Sequence, residues 1–115
     1  TTAEQVVFKK TDYFEKYDNE LNNKIEWIVP NAQKNMMEPI LLTLDPGGST
    51  YPDNPHEGEE FGFVLSGTIN IHIGSNIYKA KKGEAFYFTP NKKHYITAPG
   101  KSGAYFLWVS TPPSF

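Results

Sequence analysis

The sequence predicts an all-β chain folded as one sandwich or barrel. Short β-branched and aromatic runs recur at near-regular spacing, nine Gly and nine Pro punctuate them, and no segment carries a helical period of any length. Aromatic residues make up 15% of the chain, as expected where side chains cover a pleated, half-buried surface. A length of 115 residues leaves room for one core and therefore one domain, residues 1–115, with 1–22 expected as an N-terminal extension or edge strand.

Val6-Val7-Phe8 is a short β-prone run, and the polar, weakly patterned Thr11 to Tyr17 is expected to form one irregular turn. Ile25 to Val29 predicts a strand that stops at Pro30, and Met36 to Leu44 predicts the next, ending in the turn Asp45-Pro46-Gly47-Gly48. Phe61 to Leu65 is an apolar strand, with Ser66-Gly67 expected to turn it as a hairpin into Thr68 to Ile73. There Ile69, Ile71 and Ile73 alternate with Asn70 and His72, which gives the strand one buried face. Gly74-Ser75-Asn76 leads into Ile77 to Ala80, Lys81-Lys82-Gly83-Glu84 into Ala85 to Phe88, and the loop Thr89 to Lys93 into His94 to Ile96. Gly103 to Val109 is the last strand, closed off by Pro112-Pro113. Phe86, Phe88, Phe106 and Trp108 are core aromatics on this reading, and His72 an inter-strand or partly exposed histidine.

Charge and cysteine content narrow the function. The net charge is -2 and all eleven basic residues are lysines, so bidentate guanidinium contacts to guanine or phosphate are unavailable and the chain by itself is a poor nucleic-acid binder. Zero cysteines exclude disulfides, thiolate metal sites and cysteine nucleophiles, and suit a cytoplasmic location. No apolar run approaches the length of a membrane span. The start at Thr1-Thr2-Ala3, without Met or a signal pattern, is expected to be a processed terminus. Neither a Gly-x-Ser-x-Gly elbow nor a phosphate-binding glycine loop occurs.

Chemistry concentrates between Gly48 and Gly67, with His94 downstream. Residues two apart on a strand share a face, so Asn54 and His56 are expected to project together, and Glu60 with Gly62 and Val64, with Gly58 bending the chain between the two groups. His94 opens its own strand and reaches the same point from across a barrel. Two imidazoles and one carboxylate form a facial donor set for Fe(II), Mn(II), Ni(II) or Zn(II). The same three side chains also serve as polar lining of a pocket for a small effector. Either way an inward Glu60 requires a cationic or protonated partner. Tyr51, just before this stretch, is a candidate for hydrogen-bonding an effector.

The run from Gly48 to Gly67 resembles the first motif of the cupins, with Asn54 standing where that motif has its first histidine. Gly83 to His94 is similar to the second motif, with Pro90 displaced by one position and Ala98 in place of the usual asparagine. More narrowly, His56 to Gly67, Gly83 to Phe88 and the ending Trp108 to Phe115 resemble the C-terminal sensor domain of bacterial regulators with a lambda-repressor-type helix-turn-helix. The resemblance implies a jelly-roll barrel, or double-stranded β-helix, that binds a small effector and dimerises, and that reaches DNA only through a helix-turn-helix absent from this chain. It implies Tyr51, Asn54, His56, Glu60 and His94 as ligand-binding residues. His56, Glu60 and His94 would hold one divalent transition metal (Zn, Mn, Ni or Fe) where one is bound. The alternative is a small metalloenzyme, a dioxygenase or isomerase, on the same three residues.

Overall fold

The computed structural model describes residues 4–115. Eight strands follow in order: β1 (Phe14–Asp18), β2 (Asn23–Trp27), β3 (Glu38–Leu44), β4 (Glu59–Ile73), β5 (Asn76–Lys81), β6 (Ala85–Phe88), β7 (His94–Thr97) and β8 (Ala104–Thr111). Two single 3-10 turns, Lys10–Asp12 and Ala32–Lys34, are the helical elements of the described residues. Every ladder is antiparallel, running β1-β2-β3-β8-β4-β5, with β6 and β7 also joined to β4. The sheet curls into a half-barrel around one apolar interior. No helix among the described residues is long and apolar enough to cross a membrane.

Strand β4 organises the barrel, and it corrects the hairpin expected at Ser66-Gly67. The chain does not reverse there, because the two halves of one 15-residue strand have different partners. Glu59 to Gly67 run beside β8 and, through Phe63, beside β6, whereas Thr68 to Ile73 pair with β5. A bulge between Val64 and Ser66, within the half beside β8, shifts the inward phase: Glu60, Gly62 and Val64 are buried before it, Ile69 and Ile71 after it. Gly67, paired with Ala104 just past the bulge, has φ +78, and an added Cβ there would lie 2.2 Å from the Gly103 carbonyl oxygen.

Alternating burial along β3 and β8 places Ile40, Leu42, Leu44, Phe106 and Trp108 in the core, with Leu42 opposite Phe106 and Ile40 opposite Trp108. Gly62 faces Phe86 across β6, and its missing side chain admits the phenyl ring, since a Cβ would meet that ring at 2.1 Å. Near the N-terminus the order of strand and turn is the reverse of that expected. Val6-Val7-Phe8 forms no strand, and Val6 and Val7 are exposed, whereas β1 lies in the stretch expected to turn. β1 is an edge strand with outward side chains, held by its ladder to β2 and by Phe14 against the Trp27 ring. It therefore lacks the apolar alternation that marks a half-buried strand.

Candidate metal centre

Three elements converge at one end of the barrel. Glu60, near the start of β4, lies opposite Ser110 on β8 and Phe88 on β6, and its side chain is fully buried. His94, the first residue of β7, is 1% exposed, with the Phe88 ring edge against it. His56 reaches the same point from the loop before β4, tied to the loop between β6 and β7 by its amide, which donates to the Pro90 carbonyl at 2.9 Å. Gly58 lets that loop enter β4 at φ +108, where a Cβ would clash with the Thr111 carbonyl at 1.9 Å.

Hydrogen bonds orient both imidazoles. His56 Nδ1 donates to the Glu57 carbonyl at 3.0 Å and His94 Nδ1 to the Lys92 carbonyl at 2.9 Å. Carbonyls only accept, so both rings carry a proton on Nδ1 and turn Nε2 inward. There His56 Nε2 lies 2.9 Å and His94 Nε2 3.1 Å from the same oxygen, Glu60 Oε2. His56 Nε2 nonetheless lacks hydrogen-bond alignment, and Glu60 Oε1 is buried with no partner among the described residues. The three donor atoms all fall within 4.8 Å of one another.

Lone pairs gathered on one point need a cation. In the metal-free state a proton on His94 supplies it. Burial opposes that charge, but the bond to Glu60, the Lys92 carbonyl and the charges of Glu60 and Asp53 outweigh it and raise the His94 pKa above its ordinary value. A divalent transition ion also fits, because donor–metal bonds of about 2.0–2.2 Å place neighbouring ligands about 3 Å apart. The observed 2.9 and 3.1 Å match such edges.

Not every expected site residue joins this cluster. Tyr51 is 74% exposed and stands at the rim of a cavity of about 130 Å³ whose walls include Ile40, Leu42, Trp108 and Phe115. Asn54, read as sharing a face with His56, is exposed, whereas His56 is partly buried. Pro52 and Pro55 interrupt the strand period on which that reading relied. The residue that sequence reasoning missed is Asp53. Its amide donates to the His94 carbonyl at 2.9 Å and its carbonyl accepts from the His94 amide at 3.1 Å, a bridge that puts the two side chains on one face. Asp53 Oδ2 lies 3.8 Å from His94 Nε2 and also lines the cavity. Burial raises its pKa, His94 opposes the rise, Glu60 adds to it and His56 opposes it. His72 lies outside the site: Nε2 meets Thr97 Oγ1 at 2.9 Å and the ring stacks on Tyr95. A second, open groove of about 520 Å³ beside β5 and β6 is walled by Ile71, Ile73, Ala80, Phe86 and Phe88.

Solved structures share this architecture. A helix-turn-helix family transcriptional regulator from Vibrio cholerae superposes with a TM-score of 0.74 at 22% identity, covering 87% of this chain and 56% of the regulator, so the chain spans just over half of that protein. The cupin domain of an XRE family transcriptional regulator from Enterobacter cloacae gives 0.71 at 18% identity, covering 81% of this chain and 99% of that domain. A protein from Thermotoga maritima described as a predicted oxalate decarboxylase gives 0.77 at 17% identity, covering 92% of this chain and 98% of its own. A search of curated proteins finds no match. The Cupin domain family matches residues 40–110, more than half of the sequence. With the half-barrel that these residues build, the match shows that the chain belongs to the cupin domain family.

Proposed function

We propose that this chain is a metal-dependent small-molecule-binding cupin domain, serving as the sensing and dimerisation part of a cytoplasmic bacterial transcriptional regulator. The observation that carries the metal part is the donor geometry: two Nε2 atoms fixed by backbone carbonyls face one oxygen of a buried carboxylate. His56, Glu60 and His94 hold the ion, which supplies Lewis acidity and open positions for an oxygen donor of the effector. Ile40, Leu42, Trp108 and Phe115 wall the adjoining cavity, whose volume of about 130 Å³ suits an effector of few heavy atoms, such as a small carboxylate with a short apolar body. Two regulators among the structural matches support the sensing role. DNA contact then belongs to a helix-turn-helix outside this sequence, in keeping with a chain without arginine.

The dimer reading is supported by the outer face of β4, β6 and β8. Phe61, Phe63 and Leu65 are exposed there, with Phe61 opposite Val109 and Tyr87 and Phe63 opposite Leu107. A mainly apolar face of this kind, with Glu59 at its margin bonded to the Tyr87 hydroxyl, suits a second copy of itself. A second reading, a small metalloenzyme of the dioxygenase or isomerase type, is favoured by one feature: three protein ligands leave coordination positions free for substrate. Thermal melting of chelator-treated protein tests the metal reading. A saturating ion at about 100 times its Kd stabilises by about 2.7 kcal/mol, a rise of about 10 °C for a chain of this size. No rise with Mn(II), Fe(II), Ni(II) or Zn(II) contradicts it. Further stabilisation of the loaded protein by small carboxylates, without turnover, distinguishes sensor from enzyme.

A further inference from the structure

We infer that Asp53 is the fourth donor of the centre, so that the ion is held by two histidines and two carboxylates, and Asn54 takes no part. The inference rests on the metal reading above. The reciprocal backbone bridge between Asp53 and His94, with N···O distances of 2.9 and 3.1 Å, fixes the two residues as a directly opposed pair, and such pairs project to the same side. Asp53 Oδ2 stands 3.8 Å from His94 Nε2, against about 3 Å for neighbouring ligands on one ion and about 4.2 Å for opposite ones, given bonds of about 2.1 Å. A carboxylate with two oxygens and two side-chain torsions covers that difference without moving the backbone. Asn54 is exposed beyond a bridge that holds its neighbour inward.

Charge balance gives the same assignment. Glu60 and Asp53 together carry two negative charges and match a divalent ion, so the buried centre is neutral. Glu60 alone would leave one positive charge among Phe88, Trp108 and the apolar wall. Two oxygen and two nitrogen donors also favour Mn(II) and Fe(II), relative to a three-histidine set, over Zn(II).

The test compares the unsubstituted chain with Asp53→Asn and Asn54→Ala. Mn(II) and Zn(II) dissociation constants are measured by chelator competition, and the visible spectrum of the Co(II)-substituted protein reports coordination. Removing a residue that merely orients a ligand costs 10–100-fold in metal affinity, so Asp53→Asn is expected to weaken Mn(II) at least about tenfold, weaken Zn(II) less and alter the Co(II) spectrum. Asn54→Ala is expected to leave all three unchanged. Equal Mn(II) affinity and an unchanged Co(II) spectrum in Asp53→Asn would overturn this inference alone. No metal bound by the unsubstituted chain would overturn the metal reading together with it.

Discussion

Removing His94 from chelator-treated protein strands a carboxylate. Glu60 has a fully buried side chain, one oxygen without a partner, and its one aligned hydrogen bond from His94 at 3.1 Å. Breaking a buried pair from one side costs about 3–5 kcal/mol, a large fraction of a stability of about 5–15 kcal/mol. His94→Ala is therefore expected to lower the metal-free melting temperature by about 12–20 °C. The sign of the pH dependence follows from the raised His94 pKa. The stabilising contribution is complete below the unfolded value of 6.5 and is lost as pH rises through the folded value. Calorimetric melts should thus show the largest loss between about pH 5 and 6.5 and a smaller one above. Since both proteins lack the imidazole, comparing Glu60→Leu/His94→Ala with His94→Ala isolates the carboxylate, and the double variant should be the more stable. A His94→Ala loss under about 1 kcal/mol, or a double variant less stable than the single, would refute the stranded-charge reasoning.

Gly67→Ala is expected to cost at least about 1–2 kcal/mol for the left-handed backbone alone, with more from the Gly103 contact; a chemical denaturation midpoint equal to that of the parent would contradict that backbone conformation. Phe63→Glu on the outer apolar face should convert a sedimenting dimer to monomer without lowering the melting temperature of the monomeric fold, and a monomeric parent at micromolar concentration removes the dimer proposal. Burial lowers the His72 pKa, so its NMR titration should have a midpoint below 6.5. Its contribution to stability is present above that pH and is lost as pH falls through the folded value; a midpoint at or above 6.5 would place the ring in solvent. Metal affinity at the centre should rise with pH, because the ion displaces the proton held by His94, and a flat titration microcalorimetry series from pH 6 to 8 would contradict that exchange.

What the sequence made legible was whatever obeyed a simple period. The alternation in Ile69, Ile71 and Ile73, the turn at Lys81 to Glu84 and the strand Ala85–Phe88 all appear as read, because a half-buried strand writes its burial directly into the chain. β1 was hidden because an edge strand with exposed side chains has no such record. Ser66-Gly67 imitated a hairpin turn because Gly67 has the positive φ that such turns use, although the strand runs on through it, and only long-range pairing tells the two apart. At the site, His56, Glu60 and His94 were named from spacing and resemblance, and the structure gathers them. Asp53 was invisible for a physical reason: its placement comes from a bridge to a residue 41 positions away, across a segment where Pro52 and Pro55 suspend strand geometry.

The proposed function stands on a metal ion held by His56, Glu60 and His94. Its most direct test is elemental analysis of protein prepared without a polyhistidine tag, alongside His56→Ala and His94→Ala variants with checked fold. The parent is expected to carry close to one divalent transition metal ion per chain, and either variant near none. A folded parent free of metal after growth and dialysis with Mn(II), Fe(II), Ni(II) and Zn(II), or metal retained in both variants, would contradict it.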